Sequence, residues 1–408
     1  MIKLFILILP FLPIIVLLGQ IDDDLSPKAT ELINTIEVDV ESDAYLYLLG
    51  FSANENDSPE KVGVNLLNEY RKQESDNSYA VVDYSDAKKI PLPQGEFFCK
   101  TWEEGCLATL FVSDIDINKL KVKYSALLAR LNRFHEFNEY KTLTKPSPIE
   151  QYPPYKYILA AERLEVLYAI ATYKSGKSKQ AISLLQNQLA KVRKSLRLQD
   201  NLIGKMAFLI KASEIIDVLS VIIAQTGADI KAIPELTISE KDFSEVSTRE
   251  FAVSYYLFKA LDRNPELFRM GGNLPSWFTR IVFKPNMTIN TITPDYYRLV
   301  RISRLKPAEF VNELGSDRPS TSLITNLRNY VGNVLIGIST GYDEYVARVM
   351  DFETKIHLFN RLHHYQDELG AVSNPYYPSD KTELSGGNAC FRGPLEDKRF
   401  LRCIKIKI

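Results

Sequence analysis

The stretch YILAAERLEVLYAIATYKSGKSKQAISLLQNQLAKVRKSL, residues 157–196, decides the fold class. In its first half Leu164, Leu167, Tyr168 and Ala171 recur at i, i+3, i+4 and i+7, the spacing of one helical face. In its second half Ala181, Leu185, Leu189, Val192 and Leu196 line up in the same way. KSGKSK supplies the break between them, with Gly176 placed where a helix commonly ends in a left-handed residue. A third helix is expected from Leu202 to about Ala224. Tyr173, Gly176 and Ala181 partly resemble a tetratricopeptide hairpin, but one unit is visible where an array needs several. The expectation is an antiparallel hairpin inside a helical bundle.

Moving outward, the pattern predicts a helix over roughly Glu240 to Asp262 and another over Tyr342 to Leu369. The segment 264–320 is rich in Pro, Asn and Gly and reads as mostly loop with short helices. Upstream, KPSPIEQYPPY (145–155) is a proline-bearing break, and Ile117 to Tyr140 reads as helix. Ser58-Pro59 opens a helix to about Gln73, with serine as N-cap and proline in the first turn. Residues 22–40 hold a short helix behind Asp24-Leu25-Ser26-Pro27, and YLYLLGF (45–51) is a compact apolar segment. These boundaries divide the chain into 1–21, 22–150, 151–370 and 371–408.

Four cysteines fall into two local pairs, Cys99 with Cys106 and Cys390 with Cys403. Short loops cost least to close, so local disulfides are the favoured pairing. Zinc is the rival, but the separations lack C-x-x-C spacing, and free core thiols are the third possibility. The second pair brackets Gly393-Pro394 between CF and RFLRCIKIKI, which reads as a disulfide-clamped hairpin. Disulfides belong to an oxidising compartment.

The N-terminus points the same way. Leu4 to Leu18 is an apolar run interrupted only by Pro10 and Pro13, preceded by Lys3 and followed by Asp22-Asp23-Asp24. Lysine before and aspartate after suggest that the N-terminus stays inside and the rest is exported. Val16-Leu17-Leu18-Gly19 is a poor cleavage site, which favours an uncleaved anchor over a secretory signal. At ~1.5 Å per residue, Ile2 to Ile21 spans about 30 Å, the thickness of the hydrocarbon core. The expected location is the inner membrane, with the body periplasmic; a soluble periplasmic protein after signal cleavage is the alternative.

Fifty basic residues against fifty-one acidic ones give no basic face for nucleic acid. Ser58-x-x-Lys61, Ser75-Asp76-Asn77 and Lys174-Ser175-Gly176 echo, in order, the boxes of penicillin-recognising serine enzymes. There Ser58 would be nucleophile and Lys61 its base. The third box, however, falls in a turn between helices where the chemistry needs a strand. Ser303-x-x-Lys306 repeats the first box by chance. His357, His363 and His364 share the last helix with Glu353 and Glu368. His357 and His364 stand two turns, about 10 Å, apart, too far to share an ion. No cofactor or metal is expected.

AYLYLLGF (44–51), the first cysteine loop, DNLIGKM (200–206), KPNMTIN (284–290), NPYYPSD (374–380) and CFRGPLEDKRFLRCIKI (390–406) together resemble a family of uncharacterised exported proteins of Gram-negative bacteria. Position 43, Asn in that family, is Asp43 here. The resemblance implies a periplasmic helical protein and transfers no activity or functional residue.

The sequence therefore predicts a mainly α protein of antiparallel helical hairpins with a small disulfide-clamped C-terminal β-hairpin. Its expected role is a membrane-tethered envelope interaction or assembly protein with a protein partner. An envelope hydrolase acting on peptidoglycan or peptide, and a small-ligand receptor, are the alternatives.

Overall fold

The computed structural model describes residues 19–36, 41–75, 82, 84–148, 150–264, 276–314, 327–338, 341–362 and 369–407. The apolar run Leu4–Leu18 lies outside them. Among the described residues no helix is long and apolar enough to cross a membrane.

In chain order the helices are α1 Pro27–Asn34, α2 Asp43–Leu49, α3 Pro59–Ser75, α4 Cys106–Val112, α5 Ile117–Lys123, α6 Ser125–Glu136, α7 Tyr155–Lys174, α8 Ser178–Leu198 and α9 Leu202–Thr226. They continue as α10 Ile238–Lys241, α11 Ser244–Arg263, α12 Ser276–Val282, α13 Pro285–Ser303, α14 Pro307–Glu313, α15 Tyr330–Ile338 and α16 Asp343–Leu362. The strands β1 Glu383–Ser385, β2 Asn388–Cys390 and β3 Cys403–Lys405 form one antiparallel sheet in the order β1-β2-β3.

The hairpin α7–α8 forms where the periodicity places it, and Gly176 takes a left-handed φ of 81° at the turn. The third helix of the run, α9, is the axis of the fold. Asn201 caps it by accepting the Gly204 N–H at 2.8 Å, and Gly227 ends it at φ 61°. Its apolar residues lie on every side, and a helix of that kind has to be surrounded. It packs against α7, α8, α16 and β3 at once. Phe208, Leu209, Ile215, Ile216, Val218 and Leu219 are wholly buried. Each such side chain contributes ~1.5–3 kcal/mol when removed from water.

One cluster of buried side chains runs from Ala44 in α2 to Ile404 in β3, with α7–α9 at its centre. A second, smaller cluster joins Ala29 of α1 to Phe251, Phe258, Ile289, Ile292 and Tyr296 of α11 and α13. At one crossing in the first cluster, backbone meets backbone. A Cβ on Gly63 would lie 1.9 Å from the Leu46 carbonyl oxygen, and one on Gly50 2.0 Å from that of Pro59. Only glycine permits α2 and α3 to approach so closely.

Within the segment expected to be mostly loop, the described residues 276–314 are instead largely helical. The helix α13 holds nineteen residues with Pro294 inside it. Proline removes one backbone hydrogen bond, which is why the stretch reads as irregular in sequence. Tertiary contacts outweigh that loss. Ile289, Ile292, Tyr296 and Leu299 are buried. Asp22 reaches in from far along the chain to accept the Asn286 and Met287 N–H groups at 2.7 and 3.2 Å, capping the helix with a carboxylate. The expected helix from Ile117 to Tyr140 is broken at Tyr124 into α5 and α6. The last long helix is described only to Leu362.

The C-terminal hairpin carries a third strand. Gly386 and Gly387, at φ 55° and 76°, make the tight β1–β2 turn that only glycines adopt freely. Cys390 and Cys403 face each other in the β2–β3 register, and their disulfide clamps that pair. The strands extend away from the cysteines, leaving 391–402 as an irregular loop closed by the bridge. Replacing both Cys390 and Cys403 by Ser should lower the free energy of unfolding in urea by about 3 kcal/mol, the closure entropy of a loop of this length.

Candidate functional site

Both cysteine pairs form disulfides, and the two loops they close meet at one cavity of about 310 Å³. Thr101, Trp102, Glu103 and Glu104 of the first loop form one wall. Gly386, Asn388, Phe400 and Lys405 of the C-terminal sheet and its loop form the other, and Asp217 of α9 lies at the base.

Buried ions hold both walls to the central helices. Arg163 of α7 donates to Glu214 of α9 at 2.6 Å and, through its other nitrogens, to the carbonyls of Phe97 and Cys99 at 3.1 and 2.7 Å. A single guanidinium thus fixes the start of the first loop, and its fork of donors suits that role. Burial pushes the Glu214 carboxyl up, but Arg163 and Lys211 beside it outweigh that and hold it below the usual carboxylate range. Lys355 of α16, buried completely, donates to Ser213 at 2.7 Å, to Asp217 at 2.6 Å and to the Phe400 carbonyl at 3.2 Å. Asp217 also accepts the Thr101 hydroxyl at 3.4 Å. Burial raises the Asp217 carboxyl above its ordinary value, with Lys355 opposing.

Phe400 is the one non-glycine residue with positive φ among the described residues, at 53°. An aromatic residue in that region is strained, and such strain persists where surrounding structure imposes it. Here Lys355 holds its carbonyl, while the residue, 40% exposed, lines the cavity. The Arg399 guanidinium and the Lys100 ammonium each stand 5.9 Å from the Trp102 ring.

Two smaller cavities lie elsewhere in the fold. The first, about 190 Å³, borders the loop 395–401 and Asp351 of α16. Asp351 accepts the Tyr376 hydroxyl at 2.7 Å and faces Arg402 at 3.3 Å. Burial dominates there and pushes its carboxyl up to about 7, with Arg402 pulling the other way and Asp397 adding to the rise. The second, about 230 Å³, is lined by Glu250, Ser254, Tyr296 and Tyr342. Their hydroxyls are chained, Tyr296 to Ser254 at 2.7 Å and to Tyr342 at 3.1 Å.

Comparison with family models, with curated proteins and with solved structures gives no match to this chain.

The serine-enzyme boxes do not assemble. Ser58 is the N-cap of α3, accepting the Lys61 N–H at 3.3 Å and donating to Glu60 at 2.8 Å. Ser175 and Gly176 close the end of α7, and Lys174 donates to the Ser113 carbonyl at 2.6 Å. Asp76 and Asn77 lie outside the described residues. So do His363, His364 and Glu368. His357 is half-buried against Phe391, and burial lowers its pKa. Glu353 is engaged by Lys241 at 3.1 Å. Among the described residues no three His, Cys, Asp or Glu side chains are grouped to hold a metal.

The buried ions of α9 were missed in the sequence, although their signal is present there. Lys211, Glu214 and Asp217, with Lys205 a turn and a half earlier, interrupt a helix that is otherwise mostly apolar, and the spacing of three places successive members near one another. Lys205, one per cent exposed, sits 5.5 Å over the Phe243 ring, and burial pulls its pKa down to about 8.

Lys355→Ala should destabilise the protein by ~3–5 kcal/mol, because it leaves the buried Asp217 carboxyl without its counter-ion. The double replacement Lys355→Met with Asp217→Leu should recover most of that loss in the same urea titration. Asp351 gives a pH signature. Folded, it keeps its proton up to about pH 7, well above the ordinary carboxyl value of 3.8, so the folded state binds more protons between the two. Its contribution is complete below the lower value and is lost as pH rises through about 7. Glu150, raised to about 7 chiefly by burial, acts in the same sense. Asp351→Asn should therefore flatten, without abolishing, the fall in stability measured between pH 5 and pH 8.

Proposed function

We propose that the chain is an interaction module of the cell envelope, tethered to the inner membrane by residues 2–21, with its body outside the cytoplasm. We further propose that the cavity between the two disulfide loops receives a cationic group of a partner protein. The observation that carries this reading is the cavity itself: about 310 Å³, walled by Trp102, Glu103 and Glu104 on one side and by Phe400 and Lys405 on the other, and based on a buried ion pair. An indole face beside carboxylates is the chemistry that selects ammonium or guanidinium groups; the chain's own Lys100, paired with Glu103 at 3.0 Å, and Arg399 already stand by that indole, and an incoming cation takes their place. Walls pinned by disulfides and by buried cations are pre-organised, so less ordering entropy is lost on binding. Two disulfides support an oxidising compartment. The apolar run between Lys3 and Asp22 supports a tether, and the resemblance to exported proteins agrees with both.

The small-ligand receptor keeps one observation in its favour, the tyrosine-lined cavity around Glu250.

The test uses Trp102 as reporter. The chain holds two tryptophans, so Trp277→Phe leaves Trp102 alone to fluoresce. Titration with lysine- and arginine-rich peptides should change its emission saturably and in a salt-dependent way. Reversing the rim charge with Glu103→Lys and Glu104→Lys should weaken that response at least about tenfold. Phe400→Gly should relieve the backbone, shift stability by less than ~1 kcal/mol and still weaken binding through loss of the ring. Emission indifferent to every cationic peptide would remove the reading.

A further inference from the structure

The helix α15, YVGNVLIGI, carries no charged residue, and its two sides differ in what they meet. Val331 and Leu335 pack on the smaller core cluster, and Gly332 lies against Thr288 and Asn329. On the other side Tyr330, Val334 and Ile338 are 63, 46 and 76% exposed, and Leu327 just before them is 75% exposed. The three helical positions follow one stripe about 12 Å long. A helix that carries no charge and has apolar residues on both of these sides is ordinarily covered by protein or lipid.

The place where the N-terminal segment leaves the body decides between these. Arg328, at the start of the stripe, donates to the Ile21 carbonyl at 3.2 Å and to Asp23 at 2.9 Å. Lys284 donates to the Gly19 carbonyl at 2.6 Å. Asn286 donates to Asp22 and to the Asp23 carbonyl, and Asn290 to the Asp24 carbonyl at 2.9 Å. Residues 19–24 are therefore stitched to α13 and to the approach to α15, without a free linker between them. Ile21 itself is 57% exposed.

We infer that α15 lies on the surface of the bilayer, its outer stripe set into the boundary between headgroups and acyl chains. This rests on reading residues 2–21 as a membrane anchor. If the chain enters lipid at Gly19, a surface bonded to Ile21 stands at the interface. The stripe fits that setting: Tyr330 has an amphipathic ring suited to headgroup level, and Arg328 and Arg280, both about half-exposed, can meet anionic lipid. The rival occupant is the segment Leu4–Leu18 folded back over the stripe. That segment is apolar on all sides, so docking on α15 would cover one face and leave the others in water. A bilayer covers the segment and the stripe together.

The experiment places a reporter on the stripe of the full chain. Trp102→Phe and Trp277→Phe clear the background, and Val334→Trp, or in a parallel chain Ile338→Trp, supplies the probe. The protein is reconstituted in phosphatidylcholine–phosphatidylglycerol vesicles whose acyl chains are brominated or not, and its sedimentation with vesicles after an alkaline wash is scored alongside. Sedimentation with at least about twofold quenching by bromine at either position supports the inference. Sedimentation with unquenched emission at both overturns it while leaving the anchor intact. Protein that washes off the vesicles defeats the anchor reading, and the inference falls with it.

Discussion

The structure depends on a charge held where charge is costly. Lys355 is sealed between α9 and α16, and its three hydrogen bonds go to Ser213, Asp217 and the Phe400 carbonyl. An ammonium in the core is tolerable only with its donors engaged, so the positions of its acceptors are dictated by it. Two of those acceptors belong to the central helix, and the third belongs to the loop closed by the C-terminal disulfide. Arg163 does the same for the first loop through Glu214. The polar interior thereby specifies which irregular segments sit on the helical core and where. Apolar packing alone would leave them free to slide.

The helical class, the hairpin α7–α8 and the disulfide-bridged C-terminal sheet were legible because each has a short-range signature. Leu185, Leu189, Val192 and Leu196 announce their face by spacing, and Gly176 announces the turn. The helix α13 was not legible, because what completes it is Asp22 at its first turn, hundreds of residues away, and a buried face that hides behind Pro294 and many threonines. The cavity was half legible. Its cysteines stand out in the sequence, whereas Asp217, Lys355 and Phe400 come together only through helix packing. The break at Tyr124 has no sequence signal that we can identify.

The three aspartates after the apolar run illustrate how one stretch serves two ends. In the sequence they are flanking charges that bear on orientation in a membrane. In the fold Asp22 caps α13 and Asp23 meets Arg328, so the same residues attach the N-terminal segment to the second core cluster. Removing them would loosen residues 19–24 from α13 as well as change the local charge.

That cap also sets an order of events. Asp22 and Asn286 are 264 positions apart. At a synthesis rate of roughly 5–20 residues per second, tens of seconds separate their appearance. Throughout that interval the first stretch of the body waits with its carboxylates unengaged, and α13 cannot be finished by its own neighbours. The smaller cluster therefore cannot be completed before residues 286–296 have been made, and the larger one waits longer still, for Lys355 of α16 and Ile404 of β3.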